Sequence, residues 1–175
     1  MRKFTLVALL ALAATLGLAT ARGAGDGRVS VRSGVSLRLP AGWHLVRGRG
    51  TPVLDPIPRL AAATFPVRFS RQYCVCETPH VANLPRAGAF LFVWEYPGLG
   101  RRGLRAFPRR PARFRIGPSA SADACSPSDT VLFRQGQRAF QVQIYLGPAA
   151  PAAARAQIAA ILDSWHATPG PTRRP

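Results

Sequence analysis

The sequence predicts an α+β domain, an antiparallel β-sheet with one C-terminal helix packed on it. Three observations carry that prediction. Apolar residues recur with period two over much of the chain, a glycine-bearing turn joins two such runs within residues 130–146, and one helical apolar stripe follows at residues 151–165. Hydrophobic residues make up 47% of the 175 and charged residues 18%, which is enough apolar material for one core. The length is too short for two comfortable domains.

The elements follow in chain order. Val35, Leu37 and Leu39 alternate with Ser36 and Arg38, a half-buried strand that stops at Pro40-Ala41-Gly42. Trp43 comes next and is placed to cover the end of the core. Residues 60–67 read as a further strand, with an Ala-rich middle that equally suits a short helix. Residues 89–96 (Ala-Phe-Leu-Phe-Val-Trp-Glu-Tyr) are apolar on both faces except at Glu95, the mark of a central strand covered on both sides. Residues 130–134 and 138–146 flank Gln135-Gly136-Gln137 as a hairpin. In its second arm Phe140, Val142, Ile144 and Leu146 face one way and Gln141 and Gln143 the other, predicting one dry and one wet sheet face. After Gly147-Pro148 the stripe Ala154, Ile158, Ile161, Leu162 and Trp165 predicts the helix, with Pro151 suited to its first turn and Pro169 beyond its end. The domain spans residues 35–168, with residues 22–34 read as a flexible lead-in and residues 169–175 as a disordered polar tail.

Residues 1–21 read as a secretory signal peptide. Arg2 and Lys3 form a positive start, residues 4–18 an apolar run, and Ala19-Thr20-Ala21 a small-x-small cleavage pattern. The run is shorter than the ~20 residues that span a bilayer as a helix. Cleavage leaves a chain starting at Arg22 with 22 arginines, no lysine and 7 acids, a formal charge of +15. Arginine as the sole base, together with many Ala, Pro and Gly, is also what GC-rich coding produces. So few carboxylates exclude an acidic calcium cage and starve any mechanism that needs several of them.

The stretch Leu39-Pro40-Ala41-Gly42-Trp43, the aromatic strand ending in Glu95-Tyr96 and the closing Ile161-Leu162-Asp163-Ser164 resemble small exported proteins of actinobacterial type with no assigned function. The Leu-Pro-x-Gly-Trp opening and the terminal helix are also similar to the PsbP-like sandwich, without its long helix between the early strands. The resemblance implies the fold class and carries over no catalytic residue.

Three cysteines bear on chemistry. In an exported chain Cys125 is expected to form a disulfide with Cys74 or Cys76, since a Cys-x-Cys pair is strained as its own partner. Cys74, Cys76, His80 and Cys125 also make a formal zinc set, but the spacing is not that of a standard zinc knuckle. Cys76 with His80 makes a formal nucleophile and base with no marker of an oxyanion hole. His44 and His166 each neighbour a tryptophan at an element end and read as surface or half-buried packing residues. Glu95, in its apolar strand, is expected to pair with an arginine, and Glu77 sits beside a cysteine. The sequence assigns no catalytic residue, no metal and no cofactor.

Two motifs remain. Gly98-Leu99-Gly100-Arg101-Arg102-Gly103 matches Gly-x-Gly-x-x-Gly after a strand, yet Pro108 and Pro111 are expected to deny it the helix a dinucleotide site must open. Residues 101–115 hold seven arginines, Arg101, Arg102, Arg105, Arg109, Arg110, Arg113 and Arg115, interleaved with Phe107 and Phe114 on an extended backbone. Guanidinium groups bind phosphate, sulfate and carboxylate through paired hydrogen bonds. The expected function is therefore an exported, non-enzymatic accessory domain contacting an anionic envelope polymer or membrane surface through this segment. The alternatives are a structural subunit docking on another exported protein through its sheet, or a Cys/His-based enzyme or zinc site. Nucleic acid is the less favoured partner outside the cell.

Overall fold

The computed structural model of the chain describes residues 27–31, 34–47, 55–70, 79–121 and 125–169. Alternating apolar residues make strands at β1 (Gly27–Val31), β2 (Val35–Leu39), the short β3 (His44–Leu45), β4 (Ile57–Ala63) and β5 (Ala89–Tyr96). Helix α1 (Arg101–Arg105) precedes the hairpin β6 (Asp129–Gln135) and β7 (Arg138–Leu146), and α2 (Ala152–Asp163) leads into β8 (His166–Ala167). The strands form two antiparallel sheets, a three-stranded one in the order β1-β2-β8 and a five-stranded one in the order β3-β4-β5-β7-β6. The expected α+β class holds, with one sheet more than the sequence suggested.

The hairpin turns over two residues, because Gln135 pairs directly with Arg138. Gly136 sits at φ 62° there, the left-handed region where a glycine carries no Cβ penalty. At the far end of β7, Gly147 passes so close to the 85–86 backbone that a Cβ would lie 2.1 Å from the Pro85 carbonyl oxygen. Only glycine fits that crossing.

Along β4, β5 and β7 the five-stranded sheet is covered on both faces, while edge strand β6 leaves Thr130 and Leu132 exposed. On one face, Leu60, Ala62, Leu91, Val93, Phe133, Phe140, Val142 and Ile144 pack against β2 and the α2 stripe. Ala154, Ile158, Ile161, Leu162 and Trp165 are all buried, as the sequence stripe predicts. Each large one contributes about 1.5–3 kcal/mol relative to exposure. On the other face Ala61, Ala63, Phe90, Phe92, Trp94 and Tyr145 pack against Phe65 and Val81. A backbone bridge between Phe69 and Val81 ties that covering segment together.

Four expectations change. Residues 27–31 of the supposed lead-in are strand β1, paired residue for residue with β2, because Val29 opposes Leu37 and packs on the core. The strand placed at residues 60–67 runs instead over Ile57–Ala63. Pro66 has no N–H to continue it, and the register shifts between Pro58 and Leu60, where another proline interrupts the ladder. The expected wet face is open only at edge strand β6, where Thr130 and Leu132 are exposed. Gln143 is only 4% exposed, its Oε1 accepting a hydrogen bond from Trp94 Nε1 at 3.2 Å, so a polar residue there marks a buried partner and not solvent. Residues 101–105 are helical and not extended, since the first proline comes only at residue 108.

Burying β5 on both faces forces a partner on Glu95. Arg138 supplies it through two bonds, Nε to Oε1 at 2.8 Å and Nη2 to Oε2 at 2.7 Å, and Arg59 Nε adds a third. Arg138 also lies over the Phe140 ring, 5.2 Å from its centroid, and donates to the Thr168 carbonyl at 3.1 Å. Burial raises the Glu95 pKa, but the hydrogen bonds and charges of Arg138 and Arg59 together outweigh it and hold the carboxyl below its ordinary 4.5. A carboxyl with a lowered folded-state pKa stabilises the fold above its unfolded value and loses that contribution as pH falls through the folded value. Chemical denaturation should therefore show stability falling as pH drops below 4.5. Glu95→Gln should cost about 3 kcal/mol at neutral pH, because it leaves Arg138 buried without its counter-charge, and should lose that acid-dependent component.

Candidate anion-binding surface

Residues 101–115 reach the body of the protein by their aromatics. Phe107 packs on Tyr96 with ring centroids 5.2 Å apart, and buried Phe114 meets Phe133 at 5.2 Å. The two rings interleaved with the arginines thus face the core and form no stacking platform for a ligand. The backbone is fixed as well. Arg134 N–H donates to the Pro108 carbonyl at 2.7 Å, and Arg110 N–H to the Arg134 carbonyl at 2.9 Å, so the segment lies along the outer edge of β6.

The seven arginines divide into two kinds. Arg110 is half-buried, and its Nη2 donates to the carbonyls of Leu162 at 3.1 Å and Asp163 at 2.6 Å. Helix α2 has no basic residue in its last turn, so Arg110 supplies from a distance the cation that the C-terminal carbonyls attract. Arg113 meets Asp163 Oδ2 at 3.2 Å while its side chain stays 84% exposed, and Asp163 Oδ1 accepts the Phe114 N–H at 2.8 Å. Arg101, Arg102, Arg105, Arg109 and Arg115 are exposed, and among the described residues none of their side chains makes an ion pair. The segment is a fastened ridge carrying five free guanidinium groups.

The other sequence candidates fare differently. Glu95 takes the arginine partner expected of it, and Trp43 is buried at the end of the core with Nε1 donating to Gln157 Oε1 at 2.9 Å. His44 and His166 are both exposed, in line with the surface placement the sequence suggests. His80 is half-buried, and its carbonyl accepts the Ser70 N–H at 3.0 Å. Cys74, Cys76 and Glu77 lie outside the described residues. Cys125 is half-buried and disulfide-bonded, and which of Cys74 and Cys76 it meets stays as the sequence left it. Among the described residues no three His, Cys, Asp or Glu side chains cluster as metal ligands, and no helix is long and apolar enough to cross a membrane.

The glycine motif does open a helix, α1, which corrects the expectation that prolines leave no room. That helix has only five residues, and β5 has antiparallel neighbours on both sides, so the parallel strand–helix–strand unit of a dinucleotide site is missing there. Sequence reasoning missed Arg110 as a helix cap and Arg138 as the Glu95 partner. In the sequence each looks like one arginine among many.

No protein-family model, no curated protein and no solved structure matches the chain. The likeness to exported actinobacterial proteins and to the PsbP-like sandwich therefore rests on the residues quoted for it alone.

Replacing Arg110 by Ala should cost about 1–2 kcal/mol in thermal or chemical unfolding, the value of its charged hydrogen bonds to the α2 carbonyls. Replacing its exposed neighbour Arg109 by Ala should change stability by less than about 0.5 kcal/mol. Equal effects from the two would contradict the division between fastening and free arginines.

Proposed function

We propose that this chain is an exported, non-enzymatic binding domain that holds an anionic component of the cell envelope. Residues 1–21 act as its secretory signal, and Cys125 pairs with Cys74 or Cys76 in the oxidising space outside the membrane. The observation that carries the reading is the fastened ridge at residues 101–115. Arg101, Arg102, Arg105, Arg109 and Arg115 stay exposed and without ion pairs among the described residues, while Arg110, Phe107 and Phe114 hold their backbone to the body.

Guanidinium groups carried on a fastened backbone suit an anionic polymer or headgroup surface. The backbone needs no ordering on contact, and each cation near such a surface adds up to about 1 kcal/mol. Compared with the sequence expectation of seven contact residues, Arg110 leaves the set, because its fork is occupied by the α2 carbonyls. Arg113 contributes only with the donors that Asp163 leaves unused. Docking on another exported protein through the face of the large sheet has little open surface to use, since the chain itself covers both faces along β4, β5 and β7 and leaves only the β6 margin with Leu132 exposed.

Sedimentation with anionic vesicles or wall polymer over a salt series tests the reading. The exported protein, beginning at Arg22, should bind at low salt and release as salt rises. Changing Arg101, Arg102, Arg105, Arg109 and Arg115 together to Gln should weaken low-salt binding roughly a hundredfold, a few kcal/mol spread over five cations. Equal, salt-independent behaviour of the two proteins would end the proposal.

A further inference from the structure

The small sheet carries a second cationic surface, assembled by strand register. In β1 and β2, Val29, Val35, Leu37 and Leu39 turn toward the core, so Arg28, Ser30, Ser36 and Arg38 share the opposite, outer face. The antiparallel register sets Arg28 directly opposite Arg38 and Ser30 opposite Ser36, and β8 adds His166 beside Ser36. Arg28, Ser30, Arg38 and His166 are exposed and Ser36 half-buried. Among the described residues neither Arg28 nor Arg38 forms an ion pair.

Two like charges directly across a ladder, with Cβ atoms roughly 5 Å apart, destabilise the pair. A sheet face kept only for solubility gains nothing from that arrangement, because any neutral polar residue at either position is as soluble without the repulsion. An anion seated between the two guanidinium groups reverses its sign. The geometry also selects the anion. A carboxylate filled by one guanidinium fork offers a second arginine only a single bond, as Glu95 offers Arg59 once Arg138 holds both its oxygens, whereas a tetrahedral oxyanion has further oxygens for a second fork.

The hydroxyls of Ser30 and Ser36 lie two residues along the strands, roughly 7 Å away, within reach of the remainder of a phosphate ester. Beside Arg38 opens a groove of about 330 Å³, lined by Arg38, Pro40, Arg113, Ala160, Asp163 and Ser164. The acid in that groove is already engaged, since both Asp163 oxygens accept hydrogen bonds, from Phe114 N–H and from Arg113. Its charge therefore opposes an incoming anion less than a free carboxylate's would.

We propose that the outer face of the β1-β2-β8 sheet is a binding site for the phosphate group of an ester, gripped between Arg28 and Arg38, with Ser30, Ser36 and His166 contacting the rest of the molecule. Of the segment 101–115 only Arg113 reaches the adjoining groove; Arg28 and Arg38 are separate from the five free arginines of the ridge, and the site stands whether or not those five bind.

Thermal unfolding of the exported chain at constant ionic strength, with inorganic phosphate or acetate added, provides the test. Phosphate should raise Tm saturably and acetate should not. Arg28→Gln and Arg38→Gln should melt at least as high as the parent without phosphate, because the repulsion is relieved. Each should also bind phosphate roughly tenfold or more weakly, the loss of one charge-assisted fork. Arg105→Gln, on the separate ridge, should keep the full response. Equal effects of phosphate and acetate, an undiminished response in the Arg28 and Arg38 variants, or its loss in Arg105→Gln would each overturn the proposal. Glycerol phosphate in solution and phosphatidylcholine vesicles with and without phosphatidic acid distinguish a soluble ester from a lipid headgroup. Binding to either that Arg28→Gln and Arg38→Gln weaken and that the five-fold ridge variant retains supports the site; binding to neither, or binding that the Arg28 and Arg38 variants leave unchanged, refutes it.

Discussion

The pairing of β5 with β7, covered on both faces, is the constraint from which the rest of this fold follows. The two strands match over eight consecutive pairs, from Ala89 with Leu146 to Tyr96 with Ala139. Because both faces are dry, the sheet needs two separate coverings. Helix α2 and the small sheet supply one, and the segment around Phe65 and Val81 supplies the other. Every polar residue on these strands must then find a partner within the protein, since unpaired burial costs more than the bond it forgoes. Gln143 finds Trp94, Gln141 finds the Tyr96 hydroxyl, and Glu95 finds Arg138 and Arg59.

That demand explains part of the arginine content without appeal to a ligand. Arg138, Arg110 and Arg155 each spend several donors on fixed acceptors, a buried carboxylate, the α2 terminus and the carbonyls of Gly117 and Pro118. A lysine, with one compact ammonium, could not span such sets. GC-rich coding would raise the number of arginines but would not produce this division of labour. Among the described residues, the exposed arginines without ion pairs number five on the ridge at residues 101–115 and two on the outer face of the small sheet, with Arg47, Arg68 and Arg86 scattered elsewhere, and the two groups are where several such charges stand together.

Sequence reading reached the parts of the fold where periodicity is local. The alternation at Val35–Leu39, the two-sided apolar run at Ala89–Tyr96, the glycine hairpin and the α2 stripe were all legible, because each encodes burial within a few residues. Strand β1 was not. Its sequence Gly-Arg-Val-Ser-Val has one charged and one small polar residue in five, and it becomes a strand only because β2 offers an edge. Gln143 misled for a related reason, since the second covering layer comes from residues far from it in the chain. For the surface, the richness of residues 101–115 in arginine was plain, but which arginines serve the fold depends on the distant carbonyls of Leu162 and Asp163. The Arg28–Arg38 juxtaposition exists only in the register.

If two-sided burial of the β5–β7 pair carries the stability of the whole, native-state hydrogen exchange resolved by residue tests it most directly. Amides that hold the ladder from Leu91 to Trp94 and from Val142 to Tyr145 should exchange only through global unfolding, with an opening free energy equal to that from denaturant. Those of β1 and α1 should open at lower cost. Faster exchange in the central pair than in β1 or α2 would contradict the account.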